Sequence, residues 1–381
     1  MPNHGCMEPP QDSWYARPAA RRWRCAAPSQ LARAFHATLP GYRPTPLVEL
    51  PSIADELGVG RVLVKDESAR LHLSAFKVLG ASWAVVRVLA QRAGLAAPTT
   101  LDTLRHAATR YPLTLVTATD GNHGRAVAWM ASLLGARAQV VVPDLMSEQA
   151  ADAIAAEGAT VVRVDGDYDE AVRQAAAWAS GRADAELVQD VAWPGYEEVP
   201  GWIVEGYGTL LFEIDDALFG LGIPRPDLVV VPVGVGSFAQ AVVAHCRSRM
   251  TGGAAVLSVE PDTAACVLAS LRAGEPRSVP TGATVMAGLN CGTPSSSAWP
   301  YLRDGLDAAV SVSDAQATQA VADLAALDVS SGPSGAATLA GARAALTGSG
   351  AAARRDELGV DEGSVVVLLS TEGRTRDRRR S

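Results

Sequence analysis

The chain has 381 residues, 48% of them hydrophobic and 19% charged, with a formal net charge of −8. This is ordinary globular composition, sufficient for two compact lobes that each bury a core. No apolar run approaches the roughly 18 residues needed to cross a bilayer. The five cysteines are widely spaced and form no CxxC pair, so neither a disulfide framework nor a metal site is expected.

The two ends of the chain are rich in arginine. Met1–Gly5 has neither a basic nor an apolar segment of the kind that opens a secretory signal, and we predict a cytoplasmic protein. Arginine tails occur in nucleic-acid binders, but no interleaved aromatic residues accompany these. We therefore expect no nucleic-acid and no membrane partner, and interpret both ends as solvated, partly disordered segments. The arginines are Arg17, Arg21, Arg22, Arg24, Arg374, Arg376, Arg378, Arg379 and Arg380.

From about residue 61 the chain alternates short β-branched segments with long Ala-rich amphipathic ones, which predicts parallel βαβ units. The predicted strands are 61–67, 113–120, 138–143, 160–164, 186–190, 227–234, 255–261 and 364–370. The predicted helices are one from about 75, one ending near 134, and 147–157, 168–180, 199–218, 237–248, 314–326 and 335–347. Each polar motif follows a predicted strand, at the sheet edge where parallel sheets bind small ligands.

The first such motif is Ser74–Gly80, which places Lys77 in the first turn of a helix. The positive end of the helix dipole and the apolar neighbours both disfavour a charged ammonium. A neutral, desolvated lysine is what Schiff-base chemistry requires. Taken alone, a surface lysine on an amphipathic helix is the simpler interpretation.

Two glycine-rich turns follow later strands. In Thr119–Gly124 the glycines allow close backbone approach, and the next helix offers N–H groups to a carboxylate or phosphate. Pro232–Phe238 could cradle a phosphate with its amides and the Ser237 hydroxyl. Either turn could instead be structural, the first capped by Asp120 or Asn122.

Together these motifs resemble the fold-type II pyridoxal-phosphate (PLP) enzymes, which include serine and threonine dehydratases and the tryptophan synthase β chain. The resemblance implies an α/β fold with two open, twisted, parallel-rich sheets flanked by helices and the cofactor in a cleft between two lobes. It implies a Schiff base at Lys77, the ring hydroxyl on Asn122, and the pyridine nitrogen on Ser370 or Thr371. The cofactor-binding residues it implies are Lys77, Phe76, Asn122, Gly234, Val235, Gly236, Ser237, Ser370 and Thr371.

Longer strings resemble the diaminopropionate ammonia-lyases within that family. They are GYRPTPL (41–47), VKDES (64–68), AFKVLGAS (75–82), TDGNHGRAVAW (119–129), VQDVAWPGY (188–196), VEPDTAAC (259–266) and MAGLNCGTPSS (286–296). Dehydratases usually carry an arginine where this chain has Leu79, and a serine where it has Asp120. The resemblance implies elimination of ammonia from D- or L-2,3-diaminopropionate to give pyruvate.

The resemblance also implies roles for the acids. Lys77 and Asp120 would remove the α-proton from opposite faces of the substrate, because a carboxylate is a far stronger base than a serine hydroxyl. Asp190 would bind the ammonium on the β-carbon or assist proton transfer; a strand-end carboxylate that caps a turn is the alternative. The implied substrate-binding residues are Thr119, Asp120, Gly121, His123 and Asp190.

Some positions depart from the ammonia-lyase pattern. Arg374 stands where an acid is more frequent, Pro333 where some members have glutamate, and His72 where glycine is common. A serine or threonine dehydratase, or a β-replacement enzyme acting on a related amino acid, is therefore the alternative function. A non-catalytic binding protein is disfavoured because the three central residues Lys77, Asp120 and Asn122 are all present.

The resemblance divides the chain into an arm and two lobes. We predict an N-terminal arm (1–30), a large PLP domain (31–79 and 191–373), a small domain (80–190) and a basic tail (374–381). The family is usually homodimeric, which makes a homodimer the expected assembly. Cys266 and Cys291 fall within matched strings and could pair as a regulatory disulfide, although buried free thiols are the simpler interpretation.

Overall fold

The computed structural model describes residues 13–96, 100–119, 121–248 and 253–374. The predicted base Asp120, the basic tail beyond Arg374 and the first twelve residues of the predicted arm lie outside these ranges. The chain divides into two compact units. The larger unit contains the described residues of Met1–Pro28, Thr45–Ala69 and Glu213–Ser381, and the smaller unit contains those of Ser29–Pro44 and Arg70–Phe212.

Strands and helices alternate through most of the described chain. The strands are β1 (Trp14–Ala16), β2 (Leu47–Glu49), β3 (Arg61–Asp66), β4 (Thr114–Ala118), β5 (Arg137–Pro143), β6 (Thr160–Val164), β7 (Ala185–Leu187), β8 (Leu228–Pro232), β9 (Ala255–Pro261), β10 (Ala308–Val312) and β11 (Val365–Ser370). The helices are α1 (Leu31–His36), α2 (Pro51–Leu57), α3 (Lys77–Ala93), α4 (Leu101–Arg110), α5 (Asn122–Leu134), α6 (Glu148–Ala155), α7 (Tyr168–Ser180), α8 (Glu198–Gly220), α9 (Ser237–Arg247), α10 (Cys266–Ala273), α11 (Trp299–Gly305), α12 (Asp314–Ala326), α13 (Pro333–Leu346) and α14 (Ala351–Leu358). Within the described ranges, no helix is both long enough and apolar enough to cross a membrane.

The larger unit is built on a seven-stranded sheet in the order β1-β10-β9-β8-β11-β3-β2. Its central strands are parallel, and the edge strands β1 and β2 run antiparallel to their neighbours. Strands β8 and β9 are buried along their whole length, as expected of continuous β-branched runs covered on both faces. The predicted α/β fold with parallel-rich sheets is confirmed in this unit.

The described part of the predicted N-terminal arm is built into the larger unit. Strand β1 pairs with β10, and the Arg21 guanidinium donates to the buried Asp307 carboxylate at 2.7 Å. The prediction that the arginines near the start are solvated is therefore wrong for Arg21. A three-residue strand has no detectable periodicity, and its partner lies almost three hundred positions along the chain, so neither contact was predictable from the sequence.

The smaller unit is built on a four-stranded, fully parallel sheet in the order β6-β5-β4-β7. Helix α3 packs closely on the first part of α8 in this unit. A Cβ atom at Gly80 would lie 2.7 Å from Ile203 Cγ2, and one at Gly206 would lie 2.8 Å from the Cα of Gly80. The predicted small-domain limits, 80 and 190, lie inside this unit because α3 and α8 pack together as part of it.

This helix contact predicts a large effect of a single methyl group. Gly206→Ala should lower the free energy of unfolding by about 3 kcal/mol, because the new Cβ meets the backbone of Leu79 and Gly80. Backbone atoms, unlike a side chain, cannot relieve the clash by changing rotamer. Gly201→Ala, on the same helix with nothing within 4 Å of its Cβ, should be neutral or stabilising by up to about 1 kcal/mol. Urea unfolding of both variants, followed by circular dichroism, measures the difference; equal stabilities would contradict the packing described.

Candidate active site

Lys77 opens helix α3 in the smaller unit and forms an ion pair with Asp190. The lysine side chain is 24% exposed and the aspartate side chain 7% exposed. The turn before the helix has left-handed backbone at Leu71, His72 and Ser74, with φ of 45°, 54° and 61°. The departure noted at His72 thus falls where the backbone favours glycine.

Asp190 lies just beyond β7, where the sequence predicted an acid at a strand end. Burial alone would raise the pKa of this carboxyl, but the charge of Lys77 and its hydrogen bond to Asp190 outweigh burial, and the net pKa is well below the usual range. Asp190 is therefore an ionised, buried carboxylate whose counter-ion is the lysine amine. The Asp190 Oδ2 atom that pairs with Lys77 also lies 3.9 Å from His123 Nδ1.

The turn between β4 and α5 has its own internal hydrogen bonds. Thr119 Oγ1 accepts from the backbone N–H groups of Gly121 and Gly124, at 2.9 and 3.0 Å. This contact gives Thr119 a role in shaping the turn. Asn122 is the first residue of α5 and is half-buried, and a Cβ at Gly121 would meet no atom within 4 Å.

His123 is a buried, neutral imidazole. Burial, opposed by the charge of Asp190, lowers its pKa. Its Nε2 lies 2.8 Å from the carbonyl oxygen of Val188, which can only accept, so Nε2 carries the hydrogen and Nδ1 is a bare acceptor. Among the described residues Nδ1 has no hydrogen-bond partner. A buried acceptor of this kind needs a donor from a ligand or from solvent.

Two side chains that the sequence analysis missed also contact Asp190. Gln189 Nε2 lies 3.2 Å and Tyr168 Oη 3.4 Å from Asp190 Oδ1. Gln189 immediately precedes the predicted acid, which is the only signal in the sequence that pointed to it. Tyr168 opens helix α7 twenty-two positions earlier, and nothing in the sequence links it to Asp190.

In the larger unit the Gly234–Ser237 turn joins β8 to α9 without any side-chain cap on the helix. Gly236 has φ of 96°, and a Cβ there would lie 2.6 Å from Leu302 Cδ1. A Cβ at Gly234 would lie 3.0 Å from Cys291 Sγ and 3.2 Å from a backbone carbonyl oxygen. The carbonyl of Val235 accepts from the N–H of Ser295 at 2.8 Å, which fixes the turn.

Ser370 and Thr371 follow one another at the end of β11, and both are buried. Ser370 Oγ donates to Ser331 Oγ at 2.8 Å. A Cβ at Gly335 would come within 2.8 Å of the Thr371 nitrogen, so helix α13 begins directly against this strand end. Phe76, the remaining predicted cofactor contact, lies in the smaller unit and packs on Tyr207 with ring centroids 4.7 Å apart.

Cys266 and Cys291 are free thiols in this structure. Cys266 is buried, its Sγ lies 3.7 Å from the carbonyl oxygen of Gly234, and burial raises its pKa above the usual range. Across the described ranges, no group of three or more histidine, cysteine or acidic side chains is arranged to hold a metal ion.

Comparison with known proteins assigns this arrangement to a family. The family model for pyridoxal-phosphate dependent enzymes matches residues 38–371. A diaminopropionate ammonia-lyase of Salmonella typhimurium is 40% identical over 75% of this chain and 72% of its own length. A diaminopropionate ammonia-lyase of Escherichia coli is 36% identical over 91% of this chain and 88% of its own. The crystal structure of the E. coli enzyme in complex with an aminoacrylate-PLP azomethine reaction intermediate superposes with a TM-score of 0.82 at 33% identity, covering 94% of this chain and 93% of that one.

The chain belongs to the pyridoxal-phosphate dependent enzymes, and its fold is that of the family. Within this family it belongs with the diaminopropionate ammonia-lyases, since two such relatives are 40% and 36% identical to it over most of their length. The resemblance seen in the sequence is thereby confirmed.

The residues present fit the cofactor. The Gly234–Ser237 turn leaves the start of helix α9 without a side-chain cap, and neither glycine has room for a side chain, as a turn that approaches a phosphate closely requires. Lys77 supplies the only partly exposed lysine amine, because the chain has two lysines and Lys65 is fully buried in an ion pair with Glu213 at 2.6 Å.

The fit predicts that the turn is sensitive to a single methyl group. Gly236→Ala should raise the dissociation constant for pyridoxal phosphate by about a hundredfold, because left-handed strain and the Leu302 contact together displace the turn. Titration of apoprotein with the cofactor, followed by absorbance, gives this constant without reference to activity. Gly274→Ala is the matched control: it has φ of 74° but nothing within 4 Å. An unchanged constant in Gly236→Ala would contradict the assignment.

Proposed function

We propose that this chain catalyses the elimination of ammonia from 2,3-diaminopropionate, with net addition of water, to give pyruvate and two molecules of ammonia. Two relatives support the reaction, since both are named diaminopropionate ammonia-lyases and both match most of this chain. The observation that carries the proposal is the ion pair between Lys77 and the buried Asp190. This ion pair places a carboxylate that can bind a cationic substrate group beside the lysine that the cofactor requires.

Bound pyridoxal phosphate supplies a conjugated ring that takes up the electrons left on the substrate α-carbon when its proton leaves. Lys77 is the residue that holds the cofactor covalently, and Asn122 the residue that bonds its ring hydroxyl. Gly234, Val235, Gly236 and Ser237 would hold the phosphate, and Ser370 or Thr371 would bind the pyridine nitrogen. Phe76 precedes Lys77 in the chain and packs on Tyr207.

Asp190 selects the second amino group of the substrate. With Lys77 occupied in holding the cofactor, the buried Asp190 carboxylate would need another counter-ion, and a substrate cation in place of the lysine ammonium would restore the balance of charge. The β-ammonium of diaminopropionate is such a cation, and its three N–H donors also match the bare Nδ1 of His123. A β-hydroxyl, as in serine, supplies one donor and no charge.

Proton transfer at the α-carbon is divided between two residues. Lys77 would be one base, and Asp120, which lies outside the described residues, would be the other, acting from the opposite face of the substrate as the resemblance implies. Two bases allow the enzyme to accept the D and the L isomer. Thr119 and Gly121 complete the turn that receives the substrate carboxylate.

We further propose that the smaller unit acts as the small domain and the larger unit as the PLP domain. A homodimer is the expected assembly because the family is usually dimeric. A cytoplasmic location is proposed from the cysteine pattern of the sequence, which has no disulfide framework.

The test compares purified enzyme on D- and L-2,3-diaminopropionate, serine and threonine, with pyruvate or 2-oxobutyrate as the product measured. We expect kcat/KM for diaminopropionate to exceed that for serine by about a hundredfold, the worth of a charged against a neutral hydrogen-bonding partner at a buried carboxylate. A higher value for serine or threonine would establish the alternative, a dehydratase. Turnover only with an added nucleophile would establish β-replacement.

A further inference from the structure

Gln189 has a fixed orientation beside Asp190. Its Oε1 accepts from the backbone N–H of Ala118 at 2.9 Å and from Thr117 Oγ1 at 3.0 Å. A backbone N–H can only donate, so the carbonyl end of the amide must face β4. The Nε2 donor therefore points the other way, to Asp190 Oδ1 at 3.2 Å and Tyr168 Oη at 2.9 Å. Gln189 itself is completely buried.

Tyr168 is oriented in turn by Gln189. Its hydroxyl oxygen accepts the Nε2–H of Gln189, which leaves the hydroxyl hydrogen to be donated elsewhere. Asp190 Oδ1 lies 3.4 Å from it. Asp190 Oδ1 thus receives two donors, while Oδ2 faces Lys77. One oxygen of the Asp190 carboxylate is therefore held by Gln189 and Tyr168, and the other pairs with the Lys77 amine.

The other titratable groups around Asp190 belong to several elements of the smaller unit. Lys77 on α3 is its counter-ion, and His123 on α5 is kept neutral by burial. Tyr196 accepts from the Gln189 N–H, and Tyr207 lies on α8; burial raises the pKa of both phenols, so neither is charged at neutral pH.

We infer that Gln189 and Tyr168 are positioning residues that hold Asp190 ionised, with its Oδ2 directed at the reactive amine, and thereby select a β-ammonium over a β-hydroxyl. The inference rests on the proposed function and extends it to the origin of substrate choice. Two donors on Oδ1 stabilise the charged form and prevent rotation of the carboxylate. A neutral or rotated Asp190 would bind serine and diaminopropionate alike.

Gln189→Glu separates this role from a structural one. The introduced carboxyl keeps an oxygen for Ala118 and Thr117 but donates to Asp190 only while it is protonated. Two adjoining carboxylates share one proton, and the pKa at which they lose it is raised. The ratio of kcat/KM for diaminopropionate, variant over wild type, should fall about tenfold or more as pH rises from about 6 to about 9. The effect of substrate ionisation on kcat/KM cancels in this ratio, because it is the same for both enzymes.

A matched control is available in the larger unit. Gln319 donates to Asp323 at 2.8 Å from an exposed position on helix α12. Gln319→Glu makes the same chemical change beside an aspartate far from Lys77 in sequence. Its ratio to wild type should be constant over the same pH range. A constant ratio in Gln189→Glu as well would overturn the inference.

Tyr168→Phe tests the inference independently, should Gln189→Glu fail to fold. It removes the hydroxyl that lies 3.4 Å from Asp190 Oδ1 and accepts from Gln189 Nε2. The preference of kcat/KM for diaminopropionate over serine should fall about tenfold or more, the worth of one hydrogen bond to a charged group. Equal losses on the two substrates would overturn the inference. Wild-type enzyme that forms no pyruvate from diaminopropionate would instead refute the proposed function, and the inference with it.

Discussion

Replacement of Lys77 by alanine should lower kcat for diaminopropionate by about a thousandfold or more, because in the proposed mechanism one amine holds the cofactor and moves the α-proton. Lys77→Arg should be as inactive, although it retains a cation beside Asp190. The arginine variant therefore separates the loss of the amine from the loss of the ion pair. Activity above a tenth of wild type in either variant would contradict the role of Lys77.

Covalent attachment of the cofactor can be followed without turnover. Reduction of the holoenzyme with borohydride should fix pyridoxal phosphate on Lys77, and peptide mapping should find the label there. The chain has two lysines, and Lys65 is buried in its ion pair with Glu213. Lys65 is therefore the one other lysine that could carry the label. A label on Lys65 would show that the cofactor lysine is misassigned.

Asp190→Asn should lower kcat/KM for diaminopropionate about a hundredfold or more and that for serine much less. The variant keeps the shape of the side chain but removes the charge that we propose binds the β-ammonium. Asp184→Asn, at an exposed aspartate paired with Arg137 at 2.8 Å, is the control and should retain wild-type values. Equal losses on both substrates would limit Asp190 to a structural role.

The pH dependence of stability should follow from the same carboxylate. The folded-state pKa of Asp190 lies below its unfolded value, which is about 3.9. The stability it contributes is therefore complete at neutral pH and is lost as pH falls through the lowered folded-state pKa. Wild type and Asp190→Asn should accordingly approach one another in free energy of unfolding below about pH 4.

Much of the fold was predictable because its strands are apolar, β-branched and regularly spaced. Strands β5, β6, β8 and β9 begin and end within two residues of their predicted limits. The edge strands β1 and β2 were missed, since three residues carry no periodic signal and their pairing depends on distant segments.

The candidate site was predictable where chemistry and motif coincide in the sequence. Lys77 and Asp190 were singled out separately, and the structure brings them into contact. Gln189 and Tyr168 were not, because their role arises from the direction of an amide fixed by β4, which only the tertiary structure supplies.

The most direct test of the central claim is the stoichiometry of the reaction. Purified enzyme with pyridoxal phosphate is given 2,3-diaminopropionate, and pyruvate and ammonia are both quantified at completion. We expect two ammonia for each pyruvate, because both amino groups of the substrate are released. Ammonia without pyruvate, or consumption of neither isomer by enzyme that carries the cofactor on Lys77, would contradict it.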